Sequence, residues 1–170
     1  MDPNPRSRVP TNDERTVRPS IIDRLIDYDP QLAADPAISL SESIRRYKQS
    51  VQRDLEWLLN TRRTIVPVPA ECGELARSTF SFGMPDITSL SSDSDTSRRQ
   101  LQRDIEECIR IFEPRLTGVR VTSVDEQEGV HRRLRFVIEG LLRMEPNPER
   151  VFFDTVLDLS SGKIQVGGGA

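Results

Sequence analysis

The tetrapeptide Glu113-Pro114-Arg115-Leu116 divides the chain into two regimes of hydrophobic patterning. Proline has no backbone N–H and its ring clashes with a continuing helix, so any helical run leading into Pro114 must end close to Glu113. Upstream, apolar residues recur every three or four positions; downstream they alternate. The chain is therefore expected to be α+β, with helices from the first two thirds packed on a three- to four-stranded antiparallel sheet built by the last third, in a single domain. Glu113 and Arg115 flank the turn, an acid and a base two residues apart where helix carbonyls need partners. Two readings stay open. The residues form a local ion pair with Arg115 capping those carbonyls, or the turn is a recognition point held between rigid elements.

Taken in order, residues 1–19 contain Pro3, Pro5, Pro10 and Pro19 among charged residues and almost nothing apolar, the composition of an arm disordered in isolation. Ser20 opens a short helix in which Ile21, Ile22, Leu25 and Ile26 fall at helical spacing, ending at Tyr28-Asp29-Pro30 after about two turns. Such a helix is too short to stand alone and must dock on its own domain or on a partner. Ser39 and Glu42 have the spacing of a capping box. The long helix after them carries an apolar stripe of Ile44, Tyr47, Val51, Leu55 and Leu58, with Arg45, Arg46, Gln49, Gln52, Arg53 and Glu56 on the polar face. Trp57 sits off the centre of that stripe, either walling the edge of the core or forming an exposed interface anchor. Arg62 and Arg63 follow the last turn, where cations interact well with the helix dipole.

Pro67-Val68-Pro69 excludes regular helix and begins a long connection reaching about Asp93, with turn chemistry at Gly83 and Pro85 around a buried Phe82 or Met84. Asp93 or Asp95 is expected to cap the next helix, from about Thr96 to Glu113, which turns Leu101, Ile105, Cys108, Ile109 and Phe112 to one face. Past the turn, Val119 and Val121 alternate with Arg120 and Thr122, and a second alternating run holds Leu134, Phe136, Ile138, Leu142 and Met144. The connection Asp125 to Gly129 suits a hairpin, Pro146-Asn147-Pro148 leads into a third strand, Val151 to Leu159, and Ser160-Ser161-Gly162 allows a short fourth, Lys163 to Val166. That last segment is expected to leave an open sheet edge for an incoming strand.

The chain has 170 residues, about one domain's worth. It has no apolar run of membrane-spanning length, and Met1 to Pro19 lacks the apolar core of a signal peptide, so a cytoplasmic location without direct membrane insertion is expected. Cys72 and Cys108 show no bridging or metal-binding spacing and read as free thiols. Of its 24 basic residues all but Lys48 and Lys163 are arginine. Arginine's planar fork suits protein interfaces, although codon bias in a GC-rich genome would give the same excess. Acids interleave with the arginines and the sequence pI is about 5.3, which argues against nucleic acid as a partner. Nor does the chain read as an enzyme. A glycosidase would need Glu113 as its acid, and the arginine two residues away favours the charged form, the wrong direction for that role. His131 is the only histidine and stands at a strand entry. No catalytic residue, cofactor or metal is expected.

A charged helix ending in Phe112-Glu113-Pro114-Arg115-Leu116 ahead of an antiparallel sheet resembles the hallmark of the phage baseplate wedge family, which has a type VI secretion branch. The likeness includes Leu59-Asn60-Thr61-Arg62-Arg63 and the loop Phe82-Gly83-Met84-Pro85-Asp86-Ile87, in the family's order and spacing, and covers roughly residues 40–166. It implies a wedge-like α+β domain at 39–166, to which the composition and spacing above add a disordered arm at 1–19, a short docking helix and linker at 20–38 and a flexible tail at 167–170. It also implies a structural, non-enzymatic role in a contractile injection machine. The partners would be other wedge proteins and contractile sheath subunits within a larger hetero-oligomeric assembly. The partner-binding residues would be Glu113, Pro114, Arg115, Leu116, Arg62 and Arg63, with Ile164 and Gln165 at the sheet edge. The alternative is a stand-alone cytosolic adaptor or regulatory domain that binds a single protein.

Overall fold

The computed structural model describes residues 17, 19–26, 30, 31, 38–87, 94–124, 133–145 and 147–168. Helix α1 is Ile21–Leu25 and α2 is Leu40–Asn60; two 3-10 helices, Gly73–Arg77 and Thr79–Ser81, interrupt the long connection, and α3 is Asp95–Phe112. Strands β1 (Leu116–Val124), β2 (Arg133–Leu142), β3 (Glu149–Asp158) and β4 (Lys163–Val166) form an antiparallel sheet in the order β1-β2-β3-β4. The fold is α+β, and the change of regime falls at Pro114. Most of the arm at 1–19, Asp93, the connection Asp125 to Gly129, His131 and Pro146 lie outside the described residues.

The chain forms two compact units, Met1–Ser50 and Val51–Ala170. In the first, Ser20 caps α1 by accepting the Asp23 N–H at 3.1 Å. The Asp23 carboxylate in turn accepts the hydroxyls of Ser20 and Ser50, both at 2.6 Å. Helix α1 is shorter than expected, and Ile21, Ile22 and Leu25 stay exposed, so the described residues do not cover its apolar face. Ser39 accepts the Glu42 N–H at 3.2 Å, the forward half of the capping box.

The second unit holds the main core. Val51, Leu55, Leu58 and Leu59 of α2 are buried, as are Leu101, Ile105, Cys108 and Ile109 of α3, which lies against β1. Alternation delivers Leu134, Phe136, Ile138 and Leu142 of β2, with Val151, Phe153 and Leu157 of β3, to the inner face of the sheet. Phe136 and Phe153 are fully enclosed, and truncating either to alanine removes contacts on the scale of about 3–5 kcal/mol. The cap of α3 is neither expected aspartate but Ser94, whose hydroxyl accepts the Ser97 N–H at 3.4 Å. Asp95 is the first helical residue instead, where a carboxylate still interacts favourably with the dipole. Of the two residues expected to be buried in the connection, Met84 is enclosed and Phe82 half-buried, its ring edge-on to Phe112 at 5.3 Å.

Both cysteines are free, Cys72 exposed and Cys108 buried. Burial pushes the Cys108 thiol up to about 12, and its sulfur donates to the Gly83 carbonyl at 3.4 Å. The thiolate is the reactive form, so a thiol reagent near pH 8 should modify Cys72 in the folded chain and Cys108 only after denaturation. Two rapid equivalents in the folded state would contradict this burial. Unfolding also returns Cys108 toward its ordinary value of 9.0, so between there and pH 12 the unfolded chain loses a proton the folded chain keeps. Wild-type stability should accordingly fall more steeply above pH 9 than that of Cys108→Ala, as read from denaturant midpoints.

Candidate functional site

At the helix-to-strand turn the Glu113 carboxylate is buried, at 4% exposure, beneath its own arginine neighbour. Helix α3 ends with the Glu113 N–H on the Ile109 carbonyl at 2.8 Å, and Pro114, exposed, sends the chain into β1. Arg115 then folds back. Its Nε donates to Glu113 Oε1 at 2.6 Å and its Nη2 to Oε2 at 2.5 Å, while the Arg115 backbone N–H reaches Oε1 at 3.2 Å. Nη2 carries a second proton and donates it to Asp54 Oδ2 of α2 at 2.7 Å. Burial works against the guanidinium charge, but the bonds to Glu113 and Asp54 outweigh it and raise the Arg115 pKa. The local ion pair anticipated from sequence is present, and Arg115 uses its fork on carboxylates from two elements rather than on helix carbonyls. The Asp54 contact spans 61 residues and no local spacing announces it.

The network continues to the surface. Arg53 donates to Asp54 Oδ1 from Nε at 3.0 Å and Nη2 at 2.9 Å, and its guanidinium lies over the Trp57 ring, 5.1 Å from the centroid. Trp57 is 59% exposed, so it does not wall the core. Leu116 does pack inward, at the start of β1.

The other two motifs meet one another. Past α2, the Thr61 carbonyl accepts the Met84 N–H at 2.7 Å and the Arg63 N–H donates to the Met84 carbonyl at 2.9 Å, an isolated parallel bridge between the helix exit and the loop. Gly83 is what permits this approach. Its φ is +104°, and a Cβ there would lie 2.3 Å from the Thr61 oxygen, so no other residue fits without moving the main chain. Arg62 pairs with Asp86 at 2.9 Å, with both side chains about half exposed, and its guanidinium passes close over Gly162 in the turn between β3 and β4. Arg62 and Arg63 both face solvent.

The edge of β4 is not open at the expected residue. Asn60, the last residue of α2, accepts the Ile164 N–H through Oδ1 at 2.9 Å and donates from Nδ2 to the Ile164 carbonyl at 2.7 Å. One helical turn back, Glu56 accepts the Val166 N–H at 3.4 Å, and a further turn back Gln52 donates to the Val166 carbonyl at 2.7 Å. The Ile164 side chain is fully buried, while Gln165 exposes its side chain and pairs with Val156 of β3. Sequence patterning missed this because the partners lie more than a hundred residues apart.

Among the eight residues singled out from sequence, then, Pro114, Arg62, Arg63 and the Gln165 side chain face outward, whereas Glu113, Leu116 and Ile164 are buried and Arg115 is mostly so. A family model described as baseplate wedge protein gp25 matches residues 45–147, a span that takes in all three motifs. The chain belongs to this family. Its general role is therefore that of a structural baseplate component that assembles with other baseplate proteins. Among curated proteins none matches the chain. The wedge-family span covers α2 from Arg45 onward, α3, β1 and β2, so it contains the whole Glu113–Arg115–Asp54 network.

The geometry separates two arginines that look alike in sequence. Arg115→Ala would strand a buried carboxylate and should cost about 3–5 kcal/mol, whereas Arg62→Ala breaks a half-exposed pair and should cost less than about 1 kcal/mol. Thermal unfolding checks both, at roughly 2–4 °C per kcal/mol for a chain of this size. Equal, small shifts for the two variants would show that the buried network contributes little.

Proposed function

We propose that this wedge-family chain is the type VI secretion baseplate subunit, TssE. In that role it joins other wedge proteins and connects the baseplate to the first ring of the contractile sheath, on the cytoplasmic side. The observation that carries the reading is that three motifs far apart in sequence all fall within the family match, and two of them form one surface through the Thr61–Met84 main-chain bridge and the Arg62–Asp86 pair. The type VI assignment rests on the resemblance of those motifs.

In this reading the eight residues divide by role. Pro114, Arg62, Arg63 and Gln165 touch partners; Glu113, Arg115, Leu116 and Ile164 hold the surface in shape from beneath. Exposed arginines and a rigid proline turn suit a protein interface, where arginine is enriched and lost flexibility costs little. The role is structural and uses no cofactor.

Affinity purification of the tagged chain from its native host tests this directly. Wild type should bring down baseplate proteins and sheath. The triple variant Arg62→Ala, Arg63→Ala, Pro114→Ala should keep its melting temperature within a few degrees of wild type, because each change is at the surface, yet lose those partners. Recovery of wild type with a single unrelated protein, outside any large complex, would favour an adaptor and sink the baseplate reading. A triple variant that retains every partner would place the interface elsewhere.

A further inference from the structure

Gln52, Glu56 and Asn60 recur every four residues, so they share one face of α2. All three put polar side-chain atoms on the outward-facing main-chain groups of β4, with Asn60 serving both the N–H and the C=O of Ile164, Glu56 the N–H of Val166 and Gln52 its C=O. In an antiparallel sheet the groups of alternate residues point the same way, so Ile164 and Val166 are the residues a fifth strand would pair with. The three side chains make the four hydrogen bonds that such a strand would make.

We propose that this ladder is a guard that keeps β4 from pairing with β4 of a second copy of the chain. Beneath the ladder the edge is self-complementary. A two-fold antiparallel pairing centred on Gln165 sets Ile164 opposite Val166 of the other copy and Val166 opposite Ile164, forming four main-chain hydrogen bonds. It sets Lys163 opposite Gly167, so no like charges meet. Edge strands are commonly protected by proline, a bulge or several lysines. Lys163–Val166 has no proline and one lysine, at its first position. The protection comes from the helix instead. The opposite edge carries a smaller version of the same device, since Glu106 of α3 accepts the Val121 N–H of β1 at 2.7 Å.

The test removes three of the ladder's four hydrogen bonds and leaves Glu56 on the Val166 N–H. In a Cys72→Ser background, Gln165→Cys would lie on the two-fold axis at a non-hydrogen-bonded pair, where facing Cα atoms are about 4.5 Å apart, close enough for a disulfide. With the ladder intact this chain should remain monomeric by sedimentation and resist oxidative crosslinking. Adding Gln52→Ala and Asn60→Ala, both tolerated by a helix, should produce a concentration-dependent dimer that crosslinks through residue 165. A folded double-alanine chain that stays monomeric, or equal crosslinking with the ladder intact, would overturn the proposal. Should the double-alanine chain not fold, amide exchange of the native protein decides. The Ile164 and Val166 amides should be as protected as those of Lys163 and Gln165, which pair within the sheet, and random-coil rates at Ile164 and Val166 would show that no guard exists.

Discussion

The buried carboxylate of Glu113 is the constraint on which the rest of the wedge-like core depends. A lone ionised carboxylate at that depth would cost several kcal/mol in desolvation, and Arg115 offsets it with a two-toothed contact while its remaining Nη2 proton binds Asp54. The charge requirement thereby becomes a geometric one. The end of α3, the start of β1 and the middle of α2 meet at one guanidinium, and Pro114 is held outward as the tip of a turn that has little freedom left. A substitution at Glu113 would be felt in α2, although the two are remote in sequence.

A second junction complements the first. The exit of α2 and the Gly83 loop share main-chain hydrogen bonds at van der Waals limits, and the buried Cys108 donates to the same loop from α3. At both junctions polar groups hold the main chain or another side chain: Arg115 holds Glu113 and Asp54, Arg62 holds Asp86, and the Thr61 and Met84 main chains hold one another. What they leave exposed includes Arg62, held by Asp86, together with Arg63, a proline turn and Trp57 beneath the Arg53 guanidinium. With its arginines, the exposed Trp57 and the exposed Ile65 and Val66, that surface has the chemistry of an assembly component.

Much of this was legible in the sequence where the determinants are local. Pro114 marked the helix end, alternation marked β2 and β3, Ser20 and Ser39 marked two helix starts, and the Glu113–Arg115 pairing follows from two residues flanking one turn. Failures came where choices were degenerate or partners remote. Three consecutive residues, Asp93, Ser94 and Asp95, can all cap a helix, and nothing local selects Ser94. The exposure of Trp57 depends on whether a neighbouring element covers its side of α2, which periodicity does not report. Gln52 and Glu56 read as ordinary members of a polar face, yet both are committed to the distant Val166, and nothing local announces that Asp54 and Asn60 reach Arg115 and Ile164. A polar helix face can therefore be structural, and the β4 edge, which looks open from its own four residues, is occupied by that face.

A double-mutant cycle with Glu113→Gln, Arg115→Gln and the double variant, read by denaturant unfolding of the isolated chain, decides whether Glu113 and Arg115 act as one buried unit. The two single changes should be strongly non-additive, with a coupling energy of about 2 kcal/mol or more. Additivity within about 0.5 kcal/mol would mean that the two side chains contribute independently, and the hallmark turn would then owe its form to Pro114 alone.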